Sequence, residues 1–135
     1  MADELRARVA AAFPRARDKL RAARQVLAAG LPAEAVGPAY YAAFRAAETA
    51  LWIEGDEPRT HEGLKSLFGL RFVRTGRLPP NLASILRELK DERENGDYSV
   101  FPAVTEEDAK EAIASAERFV DAVEAFVRGQ GFETR

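Results

Sequence analysis

The chain has 135 residues, a net charge of −2 and no cysteine, so disulfides and thiolate chemistry are excluded and the composition suits a reducing compartment. With 47% hydrophobic and 31% charged residues, it is long enough for one domain around one core and too apolar for a disordered chain. No apolar run approaches the ~20 residues of a membrane span, and charges from the third residue onward are unlike a secretory signal, so a soluble cytoplasmic protein without membrane association is expected.

Every long segment follows the 3.6-residue period and none alternates as a strand does. The first predicted helix covers 3–29, with Leu20, Ala23 and Leu27 on one face; Pro14 is a point of splitting or bending, and Gly30 a terminator. The second runs from 33 to 54 with Tyr40, Phe44, Ala47 and Leu51 as its inner stripe, and Pro38 marks either its true start or a kink. Thr60 is placed to cap a third helix holding Leu64, Leu67, Phe68 and Phe72. Pro79 and Pro80 suit the start of a fourth, which carries Leu82, Ile85, Leu86 and Leu89 into the segment RENGDYS, where Gly96 ends it or loosens its last turn. Thr105 with Asp108 makes an approximate capping box for a fifth helix, lined by Ala109, Ala112, Ala116, Phe119, Val123 and Phe126 out to Gly129. The last six residues, QGFETR, are expected to fray. The predicted fold is all-α, an antiparallel up-and-down bundle of five helices in one domain over 1–135.

Charge is unevenly spread. Residues 1–30 hold seven Lys/Arg against three Asp/Glu, whereas residues 87–135 hold seven against thirteen. A basic first segment attracts phosphate; the plainer account is that arginine-rich and glutamate-rich faces pair within the fold or across a dimer. Alanine is abundant on the second and fifth helices, which places them at the centre of the bundle or at a subunit contact.

Few residues qualify for chemistry. One histidine and no cysteine leave only carboxylates as metal ligands, and the acidic run Glu106, Glu107, Asp108 sits where a helix dipole favours it; no metal or cofactor is expected. Neither phosphate-cradling glycine pattern occurs. His61, alone among the side chains in titrating near neutrality, opens the third helix beside Arg59 and Lys65. It is either a capping and packing residue or a base or phosphate ligand facing Arg93. Tyr40 and Phe44 fit a core stripe, while Tyr41, about 100° around the helix, is the tyrosine with a free hydroxyl. Arg93 and Asp97, four apart, share a helix face and can pair. Tyr98 can turn its ring inward and its hydroxyl toward a polar partner.

Taken together, AYYAAFRAAETAL (39–51), THEGLKSLFGLRFVRTGRLP (60–79), the RENGDY element and VTEEDAKEAIASAERFVDAV (104–123) resemble the HEPN domain (higher eukaryotes and prokaryotes nucleotide-binding), over about residues 5–127. The likeness is to the small stand-alone bacterial and archaeal members. It implies a helical bundle that dimerises, often beside a minimal nucleotidyltransferase in toxin–antitoxin or defence modules. Many members cleave RNA without metal through an arginine followed, after four to six residues, by a histidine. That histidine takes the proton of a ribose 2′-hydroxyl while the arginine steadies phosphate.

Arg93 matches the arginine, but the histidine positions hold Tyr98, Ser99 and Val100. Taking His61 instead requires an arginine at 54, 55 or 56, where Glu54, Gly55 and Asp56 stand. Three functions remain open. One is a non-catalytic or weakly active partner of a nucleotidyltransferase, toxin or antitoxin, binding nucleotide or RNA through Arg93, Asp97, Tyr98, His61 and Tyr41. The second is a metal-independent ribonuclease toxin in which His61 or Asp97 works with Arg93. The third is a purely structural homodimer.

Overall fold

The computed structural model describes residues 2–100 and 104–134. Their regular structure is five α-helices and one π-helical turn, with no strand: α1 (Ala2–Ala28), α2 (Pro32–Ile53), α3 (His61–Phe68), the π turn (Gly69–Val73), α4 (Asn81–Tyr98) and α5 (Glu106–Gly129). This is the all-α bundle that the apolar periodicity predicts. α2 lies at its centre, packed against α1, α4 and α5.

Composition explains that central place. Ala35, Ala39, Ala42, Ala43, Ala46, Ala47 and Ala50 are all buried, and such small side chains let neighbouring axes come close on several sides of one helix. The alanine stripe of α5 (Ala109, Ala112, Ala116) is buried too, so both stripes serve the interior of this chain. Large rings fill one end of the core. Phe68 lies 5.3 Å from Phe72 and 5.4 Å from Phe119, and Phe126 meets Phe72 edge-on at 5.3 Å. Truncating a buried ring of this kind to alanine costs about 3–5 kcal/mol. Outside the core, α1 and α5 are joined by Arg17 to Asp121 and Glu124 and by Arg24 to Glu117. Opposite charge at the two ends of the sequence is therefore matched in part within the fold.

Local signals place several helix ends. The Thr60 hydroxyl accepts from Gly63 N at 2.9 Å. Thr105 and Asp108 exchange both bonds of a capping box. Gly30 ends α1 with φ +83°, a conformation that costs glycine least.

Elsewhere the structure narrows or corrects the expectations. α1 is not split at Pro14, and α2 starts at Pro32 rather than near Pro38, which lies inside it. Pro32 occupies the first helical turn, where a missing N–H costs little; Pro38 loses one internal bond that burial of the surrounding alanines outweighs. α4 does not end at Gly96 but continues to Tyr98. Glycine is there for close approach: a Cβ at Gly96 would stand 2.6 Å from the carbonyl oxygen of Ala33. Residues 130–134 are also tied down rather than frayed, Arg135 lying outside the described residues. Phe132 packs against the core. The Thr134 hydroxyl donates to Glu124 at 2.6 Å and accepts from Arg128 at 2.6 Å, and Arg6 donates to Gly131 O at 3.3 Å. No helix among the described residues is long and apolar enough to cross a membrane.

Candidate functional site

Three helices bring the polar candidates together. One turn of α2 offers Tyr40, Tyr41 and Phe44; α3 opens on His61, held in place by the Thr60 cap; α4 ends on Arg93, Asp97 and Tyr98. The contact between Gly96 and Ala33 draws the last turns of α4 against the start of α2. Arg93 consequently lies over the tyrosines, its guanidinium carbon 5.6 Å from the ring centre of Tyr40 and 5.4 Å from that of Tyr41. Stacking of this kind suits a planar, weakly hydrated cation.

Arg93 Nη1 donates to the Tyr41 hydroxyl at 2.7 Å. Its Nε lies 3.3 Å from Asp97 Oδ2, an ionic contact without the alignment of a hydrogen bond, so this buried N–H has no acceptor among the described residues. Burial works against the charge, but Tyr41, Tyr98 and Asp97 outweigh it and hold the guanidinium above its ordinary value. Arg93 is thus a fixed cation with unspent hydrogen-bonding capacity.

His61 packs against the same tyrosines, its ring centre 6.1 Å from that of Tyr41. Its Nδ1 is 2.7 Å from the Tyr40 hydroxyl, and its ring lies 4.7 Å from that of Phe44 and 5.7 Å from that of Tyr40. Burial pushes the Tyr40 phenol up to about 12, with Arg93 acting in the other direction, so the hydroxyl keeps its proton at neutral pH. Tyr40 is only 3% exposed. With its hydroxyl donating to Nδ1, the neutral imidazole carries its own hydrogen on Nε2; with Nδ1–H donating to the hydroxyl, the Nε2 lone pair is free. Burial, then Arg93 and Lys90, lower the pKa of His61, with Glu62 opposing them. Around the rim Lys90 pairs with Glu62 at 2.7 Å and with Glu94 at 3.7 Å, and Lys65 reaches Glu62 at 3.5 Å.

The residues expected from sequence, Arg93, Asp97, Tyr98, Tyr41 and His61, share one cluster. Two details differ. The Tyr41 hydroxyl is not free, because it takes the Arg93 bond. Tyr98 does not turn its ring inward: it is the last residue of α4 and is 73% exposed, since the helix persists past Gly96 and carries residue 98 to the rim. Sequence reasoning missed the polar part of Tyr40, whose place on an apolar stripe gave no sign that its hydroxyl meets His61. Chemically, the cluster offers a guanidinium suited to phosphate, rings suited to a base and an imidazole. No group of three or more His, Cys, Asp or Glu among the described residues could hold a metal ion.

The fold and this cluster define a small all-α bundle domain with an arginine–aromatic polar site at the end of its fourth helix. Residues 9–126 match the HEPN domain. Relatives of similar length include the "Putative toxin MJ0605" of Methanocaldococcus jannaschii, 32% identical over 120 residues and 89% of each chain. A "UPF0332 protein" of Thermotoga maritima is 32% identical over 113 residues, 84% of this chain and 86% of the relative. The "UPF0332 protein glr0978" of Gloeobacter violaceus is 32% identical over 114 residues, 84% and 90% of the two chains. The chain belongs to the HEPN domain family.

Proposed function

We propose that this protein is a non-catalytic or weakly active HEPN module that binds a nucleotide or RNA at the Arg93 cluster and works beside a minimal nucleotidyltransferase in a toxin–antitoxin or defence module. The observation that carries the binding role is Arg93 itself. It is a permanently charged guanidinium lying over two tyrosine rings, whose buried Nε–H has no hydrogen-bond acceptor among the described residues. A phosphate oxygen meets the outer, partly exposed edge of the guanidinium, and Asp97, Tyr98 and Tyr41 orient the ligand around it. The membership of the family and the toxin name of one relative support the module. A homodimer is part of the proposal. With the alanine stripes spent inside the chain, exposed apolar side chains such as Leu31, Leu70 and Val100 remain to meet a second copy.

Arg93→Ala tests the binding role. It should weaken adenine nucleotide or RNA binding about tenfold or more while the helical circular dichroism spectrum is kept. Equal affinity in native and variant proteins refutes the site.

A metal-independent ribonuclease is the second reading, favoured by the meeting of Arg93 and His61 around Tyr40. Against it, in the tautomer in which Tyr40 donates to Nδ1, His61 has no lone pair free for a ribose hydroxyl.

A further inference from the structure

Of the seven lysine and arginine residues in positions 1–30, five have partners. Arg8 bonds Glu57, Arg17 bonds Asp121 and Glu124, Arg21 pairs with Asp18, and Arg24 with Glu117. Arg6 donates to a backbone carbonyl of the folded-back tail. Arg15 and Lys19 are exposed and have neither ion pair nor hydrogen bond among the described residues. They are four apart on α1, so they share a face, and like charges at that spacing repel.

Both line a cleft of about 310 Å3, whose opposite wall is the α2 face of Tyr41, Phe44, Arg45 and Glu48. Arg45 lies 2.9 Å from Glu48, so that pair is close to neutral and the two α1 cations are in excess. Tyr41, 39% exposed, belongs to both places: it lines the cleft, and its hydroxyl takes the Arg93 bond.

We propose that the cleft is a second subsite, and that the ligand of this protein is a single-stranded nucleic acid running from Arg93 across Tyr41 to Arg15 and Lys19. The proposal rests on the reading that the Arg93 cluster binds nucleotides. A mononucleotide uses Arg93 alone and leaves the α1 cations without a role, whereas a strand brings a further phosphate with every sugar. The aromatic wall calls for unpaired bases, since those of a duplex are stacked on one another and cannot lie on a side chain. An acidic protein would neutralise Arg15 and Lys19 but has no particular use for the faces of Tyr41 and Phe44.

The test compares AMP with a labelled oligoribonucleotide of about ten residues, using native protein, the double variant Arg15→Gln/Lys19→Gln, and Arg93→Ala. Both exchanged side chains are exposed on a long helix, so folding should survive. The double variant should bind the oligomer about tenfold more weakly and with a flatter salt dependence, by about 1–2 in the log–log slope, while AMP affinity stays as in native protein. Unchanged oligomer binding, or equal losses for oligomer and AMP, overturns the cleft. If Arg93→Ala alone reduces both ligands, the Arg93 reading stands and the cleft falls. Native protein binding neither ligand removes both. Displacement of the oligomer by polyglutamate, with binding indifferent to Tyr41→Ala, overturns the proposal in favour of an acidic protein.

Discussion

Arg93 and Tyr41 lie 52 positions apart in sequence and are joined by a 2.7 Å hydrogen bond from the guanidinium Nη1 to the phenol oxygen. The bond fixes the angle at which Arg93 leaves α4, and with it the direction of the N–H edges that remain. Tyr41→Phe keeps the ring beneath the guanidinium and removes only the acceptor. It should lower nucleotide or oligonucleotide affinity about threefold to tenfold, matching one hydrogen bond of about 1 kcal/mol, with little change in Tm. A calorimetric titration of the variant checks this; a loss as large as that of Arg93→Ala would mean that the hydroxyl itself contacts the ligand.

The same site depends on a contact that carries no charge. Gly96 abuts the carbonyl of Ala33, leaving a Cβ only 2.6 Å from that oxygen. Alanine is the better helix former by about 1 kcal/mol, so propensity alone predicts a gain from Gly96→Ala. Backbone cannot give way as a side-chain tip can, and the clash should win, with a net loss of about 1–3 kcal/mol in urea denaturation. Gly129→Ala, where a Cβ meets nothing within 4 Å, is the control and should be neutral or stabilising. Destabilisation of both to the same degree would mean that the Ala33 contact is not the cause.

These two contacts also mark the limit of what the sequence discloses. Apolar periodicity, Thr60 and the Thr105–Asp108 box are local, so helices and several of their ends are legible in order. The pairing of Arg93 with Asp97 follows from helical spacing alone. Gly96 reads as a helix stop because glycine usually weakens a helix, and only the neighbouring helix shows why it is there. Likewise, the Tyr40–His61 and Tyr41–Arg93 bonds are tertiary, and nothing in 21 or 52 positions of separation announces them. The tail was illegible for the same reason: Thr134 finds Glu124 across a turn that composition does not specify.

That tail gives a stability prediction. Glu124 is 8% exposed and bonded by Arg17, Arg128 and Thr134. Burial acts against its charge, but Thr134 and Arg17 outweigh it and hold the carboxyl below its usual value. Ending the chain after Gly129 removes Thr134 and the packing of Phe132, and should cost about 1–3 kcal/mol. Denaturant unfolding of the shortened chain measures it. Unaltered stability would show that the tail contributes nothing to the fold.

The pH dependence of stability should carry the mark of His61. Its pKa in the folded chain lies below the ordinary 6.5, through burial and then Arg93 and Lys90. An unfolded chain therefore takes up the proton that the native state resists. Stability is full above the unfolded value, falls as pH drops through it, and stops falling below the folded value. Tm should decline as pH falls through the unfolded value of about 6.5, and His61→Gln should flatten that decline. Glu48, raised by burial, acts with opposite sign, but from a lower starting value of 4.5. A slope unchanged in His61→Gln would assign the decline to other groups.

Cleavage is the sharpest test of what His61 does. A general base contributes about 10²–10⁴-fold to proton transfer, so a nuclease relying on His61 should lose about that much in His61→Ala. In this chain the base would have to act through Nε2, which holds a hydrogen while Tyr40 donates to Nδ1, or through Nδ1, which the Tyr40 hydroxyl covers. Tyr40 is no substitute, since its phenol is pushed up to about 12, and Asp97 is occupied by its ionic contact with Arg93. Purified protein should accordingly show at most trace cleavage of single-stranded RNA. That trace should be indifferent to EDTA and change less than about threefold in His61→Ala. Arg93→Ala should reduce RNA binding in the same samples, which separates a bound but uncut RNA from one that never binds. Rapid turnover abolished by His61→Ala would restore the ribonuclease reading and place the imidazole hydrogen on Nδ1, leaving Nε2 free; turnover abolished by EDTA would point to a metal that the side chains described here do not by themselves assemble.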